Sequence, residues 1–471
     1  MIDSPPPASP LPLAGYRVLE IGGGAAAAYC GRLLVDAGAT VLRSAACEDA
    51  RDRGVIRADT ALERAYASYL SAGKQAEAAG SEVIARLSEQ VDLVLVGEDA
   101  GVEALPKGRL GTVFLSWFGS QGDYKDWQGS ELLIQGLTGL PKIAGPVDGP
   151  PMAGAERQAT MVAGATAYIA TCALLLASLR APRARPSVLE VSVLESNLAL
   201  QEIQFHFLER EVTPIRRFGV NRFWPQGPMG IYPCRTGWVG ITLTTPDQWR
   251  SFCAAVGMQD CLEDPQLATR EQRFARLPEV EARMVQALSS HDAPHWGAVG
   301  RKLRIPIVEV PDAAGILAHP IFNERQSLAS MEIDGRDVKL PRAPFGLEGT
   351  PLSTRIPLAD PGGAPQIPAA SADIGDTSGP LLGGLRIVDF TMGWAGPLAT
   401  RILADLGAEV IKIEAGRYPD WWRGVNWTPE FIANRMYEKS HTFTAMNRGK
   451  HGVSIDLTQP EIGRASCRER V

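Results

Sequence analysis

Histidine, paired cysteine and excess positive charge are all scarce in this 471-residue chain, and each shortage excludes a class of function. The six histidines never take a paired ligand spacing with acids on a helix, so we expect no metal site. The seven cysteines are scattered and include no CxxC pair, which favours reduced thiols over a disulfide framework. A net charge of −6 provides no basic surface, so neither nucleic acid nor an anionic membrane is an expected partner.

Signals for export or membrane insertion are also missing. The N-terminal stretch MIDSPPPASPLPLAG contains no basic region followed by an apolar core, and we identify no uncharged apolar run long enough to cross a bilayer. Together with the unpaired cysteines, this predicts a cytoplasmic protein. Hydrophobic residues still make up 45% of the chain, which is enough to fill the cores of about two to four domains.

The sequence begins the same structural unit twice. Residues 13–45, LAGYRVLEIGGGAAAAYCGRLLVDAGATVLRSA, reappear as residues 382–414, LGGLRIVDFTMGWAGPLATRILADLGAEVIKIE. The offset of 369 between Gly15 and Gly384 applies without a gap to the whole segment. A period of this length indicates duplication of a whole domain rather than a solenoid repeat. We expect the first copy to be complete and the second to be truncated.

Each copy has the pattern of a strand, a helix and a second strand. In the second copy, LRIVDF is a short apolar strand, and Pro397 suits the first turn of the helix that follows. Gly407 ends that helix, and VIKIE follows as a buried strand. The pattern predicts a βαβ unit of a parallel sheet. Ligands of such sheets bind beyond the carboxyl ends of the strands, here around residues 393–397 and after Glu414.

The composition changes several times between the two copies. Residues 155–210 are rich in alanine and leucine with helical spacing, broken by APRARPS, and predict a long helical bridge. Residues 228–245 alternate apolar and polar side chains, as a β-hairpin does. We therefore predict an α/β fold, in which long helical connections join a Rossmann-like large domain with a parallel sheet to a small α+β domain.

The domain boundaries follow from these changes. The predicted segments are a large α/β domain with its bridge (1–210), a small α+β domain (211–330), a return segment to the large domain (331–358), a proline- and glycine-rich linker (359–380), the truncated α/β part of the second copy (381–460) and a tail (461–471). The tail EIGRASCRERV resembles a translated sequencing-adapter oligonucleotide, so we expect it to be non-native and disordered.

Several motifs follow one another in the second copy: an AGP turn, GAEVIKIE, a DWWRG element, NRGK and SIDL. The first copy has looser counterparts, SAGK at 71–74 and SWFGSQGDYKDWQGSELLIQGLTGL. In combination these motifs resemble those of the class III CoA-transferases, the CaiB/BaiF family. The resemblance covers most of the chain and implies the fold of that family. It also implies a partner arrangement, either an interlocked homodimer or intramolecular pairing of the two copies.

The resemblance implies a reaction that moves CoA between an acyl-CoA thioester and a small carboxylic acid. In the family an aspartate carboxylate forms a mixed anhydride and then an enzyme thioester. That aspartate opens a D-x-x-x-G element, and with Gly164 as the glycine its place here falls on Thr160, which supplies no carboxylate. We expect the nucleophile of the second copy beyond residue 471. Glu131 coincides with an acid beside the family's active site, or it is a helix N-terminal acid stabilised by the helix dipole.

The resemblance also implies a CoA site in the second copy and no metal. Trp394 and Ala395 would line CoA, and Arg417 or Arg423 would meet its phosphates unless they are ordinary surface charges. In the first copy the AGP turn is replaced by alanines, so its site is altered. The complete set of expected CoA-binding residues is Trp394, Ala395, Arg417, Arg423, Asn447, Lys450, Ile455, Asp456 and Leu457.

Three other functions remain open. The absence of a carboxylate at Thr160 favours a non-catalytic pseudo-transferase partner subunit. A racemase acting on α-methylacyl-CoA would have the same fold but would also need acid–base residues. The segment VLEIGGGAA resembles the glycine loop of S-adenosylmethionine-dependent methyltransferases, but the next strand, TVLRSAA, lacks the acid that those enzymes use to hold the ribose.

Overall fold

The computed structural model describes eleven stretches of the chain, which divides into two compact units. The first unit comprises Met1–Thr138, Ala155–Pro214 and Ala329–Val471, and the second comprises Gly139–Gly154 and Ile215–Leu328. The described residues are 11–44, 60–77, 80–101, 104–155, 157–180, 187–202, 217–222, 227–333, 335–345, 379–424 and 427–459. Most of the predicted linker and the whole predicted tail at 461–471 lie outside these residues.

The strands are, in chain order, β1 (Arg17–Ile21), β2 (Thr40–Ser44), β3 (Gln75–Glu77), β4 (Leu93–Val96), β5 (Gly111–Ser116), β6 (Ser187–Ser192), β7 (Met229–Pro233), β8 (Trp238–Thr242), β9 (Ile307–Glu309), β10 (Leu328–Ile333), β11 (Arg336–Pro341), β12 (Arg386–Asp389), β13 (Glu409–Glu414) and β14 (Lys450–Ser454).

The α-helices are, in chain order, α1 (Ala25–Asp36), α2 (Ala61–Ser71), α3 (Ser81–Gln90), α4 (Glu131–Leu137), α5 (Leu140–Ile143), α6 (Gln158–Arg180), α7 (Val193–Leu198), α8 (Pro246–Val256), α9 (Asp260–Glu263), α10 (Arg270–Ala275), α11 (Leu277–Leu288), α12 (Ala293–Leu303), α13 (Ala313–Ala318), α14 (Pro320–Glu324), α15 (Ala395–Asp405), α16 (Pro429–Ala433) and α17 (His441–Asn447). Short 3-10 helices occur at Ala199–Gln201, Pro265–Leu267, Trp421–Arg423 and Met436–Glu438.

A six-stranded parallel sheet organises the first unit. Its strand order is β3-β2-β1-β4-β5-β6. Strands β2 and β3 therefore lie on one side of β1, and β4, β5 and β6 lie on the other. Every residue of β1 and β4 is buried, which is expected for parallel strands covered on both faces. The predicted α/β fold with a Rossmann-like parallel sheet is therefore confirmed.

Helices cover both faces of this sheet. On one face, Val18 and Val41 join a core cluster with Leu34 of α1 and Leu174 of α6. On the other face, alternate strand residues pack beneath Leu87 of α3; they are Leu19, Ile21, Leu42, Val94 and Val96. The alternation of side chains along each strand thus sends half of its apolar residues to each helical layer.

Two predictions about the segment after residue 155 are wrong. Helix α6 is long and apolar enough to cross a bilayer by length and composition, although we identified no such run in the sequence. Its small residues, such as Ala163 and Ala167, are buried in the core of the first unit. The predicted helical bridge is also interrupted, because β6 pairs with β5 and completes the sheet. The β-branched residues Val188 and Val191 favour this extended conformation.

The second copy forms its own parallel sheet of three strands, β12-β13-β14, with α15 in the crossover between the first two. Leu382, Ala408 and Val410 pack against Ala173 of α6, so α6 contributes to the cores of both copies. On the opposite face Val388 is 50% exposed among the described residues, whereas Leu19, its counterpart at the offset of 369, is 0% exposed beneath α3.

The second unit is built around an antiparallel sheet of three strands, β7-β8-β9. The predicted hairpin at 228–245 is present as β7 and β8. Capping boxes begin two of the helices, with Thr245 and Gln248 at α8 and Thr269 and Gln272 at α10. One apolar core holds the unit together, with members from the sheet, α8, α11 and α12.

Candidate functional site

Each copy contains a buried lysine paired with an acid on its first strand. In the first copy, Lys74 Nζ donates to Glu20 Oε2 at 2.7 Å and to the carbonyl of Ala28 at 2.8 Å. In the second copy, Lys450 Nζ donates to Asp389 Oδ2 at 3.0 Å and to the carbonyl of Pro397 at 2.8 Å. The offset of 369 relates both acids and both carbonyls. The duplication is therefore preserved in a buried polar network as well as in the sequence.

A second buried pair organises the carboxyl edge of the second copy's sheet. Lys412 Nζ donates to Asp420 Oδ2 at 3.0 Å, and both side chains are buried. Asp420 also accepts from the backbone N–H of Trp422 at 3.0 Å and of Gly393 at 3.4 Å. One carboxylate thus fixes the loop after β13 against the turn that precedes α15.

An arginine–glutamate pair supports the same loop. Arg423 makes two hydrogen bonds to Glu414, from Nε at 2.9 Å and from an Nη at 2.7 Å, and its guanidinium carbon lies 3.6 Å from the centre of the Phe443 ring. Burial would raise the pKa of Glu414, but hydrogen bonds, first of all the one from Arg423, hold it below its usual value. The guanidinium of Arg423, an expected phosphate ligand, is engaged within the protein.

Indole rings line the turn that leads into α15. Trp394 meets Trp422 edge to face at 5.8 Å, and Trp421 stacks on Trp422 at 5.5 Å. Among the described residues, no side chain accepts a hydrogen bond from the first amides of α15. Free amides at a helix N-terminus favour anionic oxygens, and indole faces favour flat rings. The arrangement suits a ligand that carries both groups.

The other expected ligands divide into two groups. Arg417 is exposed beyond the end of β13, and its charge acts on Asp456 beyond the end of β14. Ile455 donates its N–H to the carbonyl of Glu414 at 2.7 Å, and Leu457 is exposed. By contrast, the ammonium of Lys450 is buried and also donates to Asn447 Oδ1 at 2.9 Å.

The structure therefore brings Trp394, Ala395, Arg417, Ile455, Asp456 and Leu457 to the carboxyl edge of the second sheet, with Arg423, Asn447 and Lys450 as internal supports. Sequence analysis did not single out Lys412, Asp420 or the Trp421–Trp422 pair. The lysine inside the apolar strand VIKIE was a signal for a buried charge pair, since a buried lysine requires a partner.

The two candidate catalytic residues of the first copy are in contact with each other. Glu131 follows the N-cap Ser130 at the start of α4, and its carboxylate reaches the first turn of α6. There it accepts from the backbone N–H of Ala159, from the N–H of Thr160 at 3.2 Å and from Thr160 Oγ1 at 3.3 Å. Glu131 therefore lies in the first turn of its own helix, α4, and also binds amides at the N-terminus of α6.

Beside these residues, the guanidinium of Arg157 lies 3.9 Å from the centre of the Tyr66 ring. Burial is the main cause that raises the pKa of Tyr66. Position 160 itself contributes a hydroxyl group that is already hydrogen-bonded. In the part of the chain that the structure describes, no group of three metal-ligating side chains is placed to hold an ion.

Comparison with known proteins finds the same family along most of the chain. The model of CoA-transferase family III matches residues 13–364 and 382–469, so the second match extends into the predicted tail. A probable CoA-transferase of Mycobacterium tuberculosis is 27% identical over 360 residues, which are 73% of this chain and 43% of that protein. Succinate–glutarate CoA-transferase of Agrobacterium fabrum is 24% identical over 377 residues, covering 74% of this chain and 92% of that protein.

A solved structure has the same fold. A CAIB/BAIF family protein from Brucella suis superposes with a TM-score of 0.62 at 20% identity, covering 75% of this chain and 97% of that one. The chain spans less than half the length of the Mycobacterium tuberculosis relative. The family model nevertheless matches both copies of the repeat and most of the sequence between them, and the chain belongs to CoA-transferase family III.

Proposed function

We propose that this protein takes part in transferring CoA between an acyl-CoA thioester and a small carboxylic acid, and that its second copy binds the CoA. The observation that carries the proposal is the carboxyl edge of the β12–β14 sheet. There the uncapped amides of α15 lie beside Trp394 and Trp422, and the exposed Arg417 follows β13. These groups suit the phosphates and the adenine ring of CoA.

The reaction would proceed through a carboxylate nucleophile. The carboxylate attacks the thioester carbonyl and releases CoA thiolate, leaving a mixed anhydride. The thiolate then attacks the enzyme's own carbonyl carbon, which releases the first acid and leaves an enzyme–CoA thioester. The acceptor acid takes CoA by the reverse sequence. Backbone N–H donors would stabilise each tetrahedral oxyanion.

The nucleophile would not come from the first copy. Thr160 stands at the expected position and its hydroxyl is bonded to Glu131. We place the aspartate in sequence of the second copy outside residues 1–471. The Mycobacterium tuberculosis relative is more than twice as long as the region that matches, which leaves room for two full copies and supports this assignment.

Pairing of the two copies within one chain, rather than an interlocked homodimer, is the arrangement that we favour. Arg401 of α15 and Arg448 both bind Glu202, which follows α7 in the first copy, and Arg448 does so at 2.9 Å. Together with the packing of Leu382 on Ala173, these contacts join the copies in one unit. A cytoplasmic location is part of the same proposal, because scattered cysteines without a CxxC pair favour reduced thiols.

A non-catalytic partner subunit is the second candidate, and Thr160 favours it because the first copy supplies no carboxylate there. Trapping of the covalent intermediate separates the two functions. The 471-residue chain and a longer form with a complete second copy are each incubated with succinyl-CoA and hydroxylamine, which converts an enzyme thioester to a hydroxamate.

We expect a hydroxamate on an aspartate of the longer form and none on the 471-residue chain. A hydroxamate on residues 1–471 would show that the nucleophile lies within this chain. CoA binding without a hydroxamate on either form would favour the partner subunit, and the absence of both would contradict the proposed function.

A further inference from the structure

The N-terminus of α1 is capped from a distant part of the first copy. Glu98, two residues beyond β4, accepts from the backbone N–H of Ala26 at 2.8 Å and from that of Ala27 at 3.2 Å. The N-cap residue, Gly24, has no side chain that could do this. The carboxylate therefore satisfies two of the amides that a helix N-terminus leaves free.

The backbone around this carboxylate is shaped to admit it. Gly24 has a φ of 123°, and a Cβ at that position would lie 2.2 Å from Glu98 Cδ. Only glycine tolerates both the conformation and the close approach. The adjacent Asp99 is held separately, since its N–H donates to the carbonyl of Gly23 at 3.3 Å and its Oδ1 accepts from Trp117 Nε1 at 2.8 Å.

In the corresponding turn of the second copy, a different side chain lies against the glycine. The offset of 369 relates Gly24 to Gly393, and a Cβ at Gly393 would lie 2.4 Å from Cζ2 of Trp421. An indole thus fills the space that a carboxylate fills in the first copy. The amides of Ala395 and Gly396, the counterparts of Ala26 and Ala27 in the part of the chain described, receive no side-chain cap.

We infer that Glu98 is a specificity-determining residue, whose carboxylate takes the place of an anionic ligand in the first copy and confines phosphate-bearing ligands to the second. A ligand phosphate at α1 would have to displace both hydrogen bonds to the Glu98 carboxylate and, above about pH 7, approach its negative charge. That the ligand bound in the second copy is CoA rests on the proposed function, whereas the exclusion of phosphate groups at α1 does not.

The test uses the whole chain labelled with ¹⁵N-alanine, with inorganic pyrophosphate as the probe, at about pH 8, where the Glu98 carboxylate is ionised. In the wild-type protein we expect no shift of the Ala26 and Ala27 amide signals. In Glu98→Ala, both signals should shift in a saturable way, at pyrophosphate concentrations at least about tenfold below the highest one at which the wild type still shows no shift. Glu98→Gln, which keeps the side-chain shape, should give weaker shifts of the same two signals.

Asp99→Asn is the matched control, because it removes a neighbouring charge without uncapping α1, and it should respond as the wild type does. Equal shifts in the wild type and Glu98→Ala would overturn the inference, as would a lack of shifts in both Glu98 variants when the remaining alanine signals show native folding. The Ala395 signal, followed during a separate CoA titration, reports on the proposed function independently.

Discussion

The ammonium of Lys450 lies 3.0 Å from a carboxylate oxygen of Asp389, and both groups are buried. Burial alone would raise the pKa of Asp389, but hydrogen bonds from Thr391, Lys450 and Thr400 lower it to about 2. The acid is therefore charged at neutral pH and depends on its partners. Glu20 and Lys74 make the equivalent buried contact in the first copy.

Lys450→Met should destabilise the first unit strongly. Loss of the ammonium leaves Asp389 as a buried, uncompensated charge, which costs about 3–5 kcal/mol in the free energy of unfolding. Arg386→Met is the matched control, because Arg386 pairs with Glu409 at 2.7 Å but is 68% exposed, and it should cost below about 1 kcal/mol. Urea unfolding followed by tryptophan fluorescence measures both. Equal, small losses would contradict a buried charge at Asp389.

Glu98→Gln should change how stability depends on pH. Burial, and then the charge of Asp99, raises the pKa of Glu98 from 4.5 to about 7, although the amides of Ala26 and Ala27 act in the opposite direction. Below pH 4.5 the folded and unfolded chains are both protonated at this position. Between pH 4.5 and about 7 only the unfolded chain ionises, so the wild type loses stability as the pH rises.

The glutamine variant cannot ionise at position 98, so it lacks this loss of stability with rising pH. The free energy of unfolding of Glu98→Gln minus that of the wild type should therefore increase from pH 4.5 to about 7 and then level off. Chemical denaturation at a series of pH values measures the difference. A difference that stays constant, or that decreases over this range, would show that the pKa of Glu98 is not raised.

Thr160→Asp should introduce a repulsion without creating a transferase. The new carboxylate would stand beside Glu131, whose Oε2 is 3.3 Å from the present hydroxyl, and two carboxylates so close disfavour full ionisation. We expect a lower melting temperature than the wild type at pH 8 and a smaller difference at pH 5. Thr160→Asn, uncharged and similar in shape, should show no such pH dependence. CoA transfer by Thr160→Asp alone would contradict our expectation that the site of the first copy is altered beyond position 160.

The half-exposed Val388 of the second sheet can be compared directly with its buried counterpart in the first sheet, Leu19. Leu19→Ala should cost about 2–5 kcal/mol in the free energy of unfolding, because it leaves a cavity beneath α3. Val388→Ala, at the corresponding position of the second copy, should change it by less than about 1 kcal/mol because the side chain is half exposed. A large cost at Val388 would mean that another element covers this face in solution.

Local sequence signals predicted the framework of the fold well. The apolar strands, the helix spacing and Gly407 were sufficient to predict both βαβ units, because these features depend on near neighbours in the chain. Strand β6 was missed because VLEVS follows a long helical pattern, and its extended conformation depends on pairing with β5, more than 70 residues earlier.

The candidate site was only partly accessible to sequence reasoning for the same reason. Glu98 reaches Ala26 over 72 residues, and this contact exists only because β4 lies beside β1. Arg423 and Lys450 have the residue types of phosphate ligands, yet their charges are taken up by Glu414 and Asp389. The motifs predicted a CoA site at this edge of the sheet but could not tell which cations remain exposed there.

Titration calorimetry of CoA into the 471-residue chain tests the central claim most directly. We predict one CoA bound per chain, with an affinity reduced roughly tenfold in Arg417→Ala, whose exposed guanidinium would meet a phosphate, and unchanged in Thr160→Ala. Both variants should retain the wild-type melting temperature to within a few degrees. Absence of CoA binding, or binding that is lost in Thr160→Ala and kept in Arg417→Ala, would contradict a CoA site in the second copy.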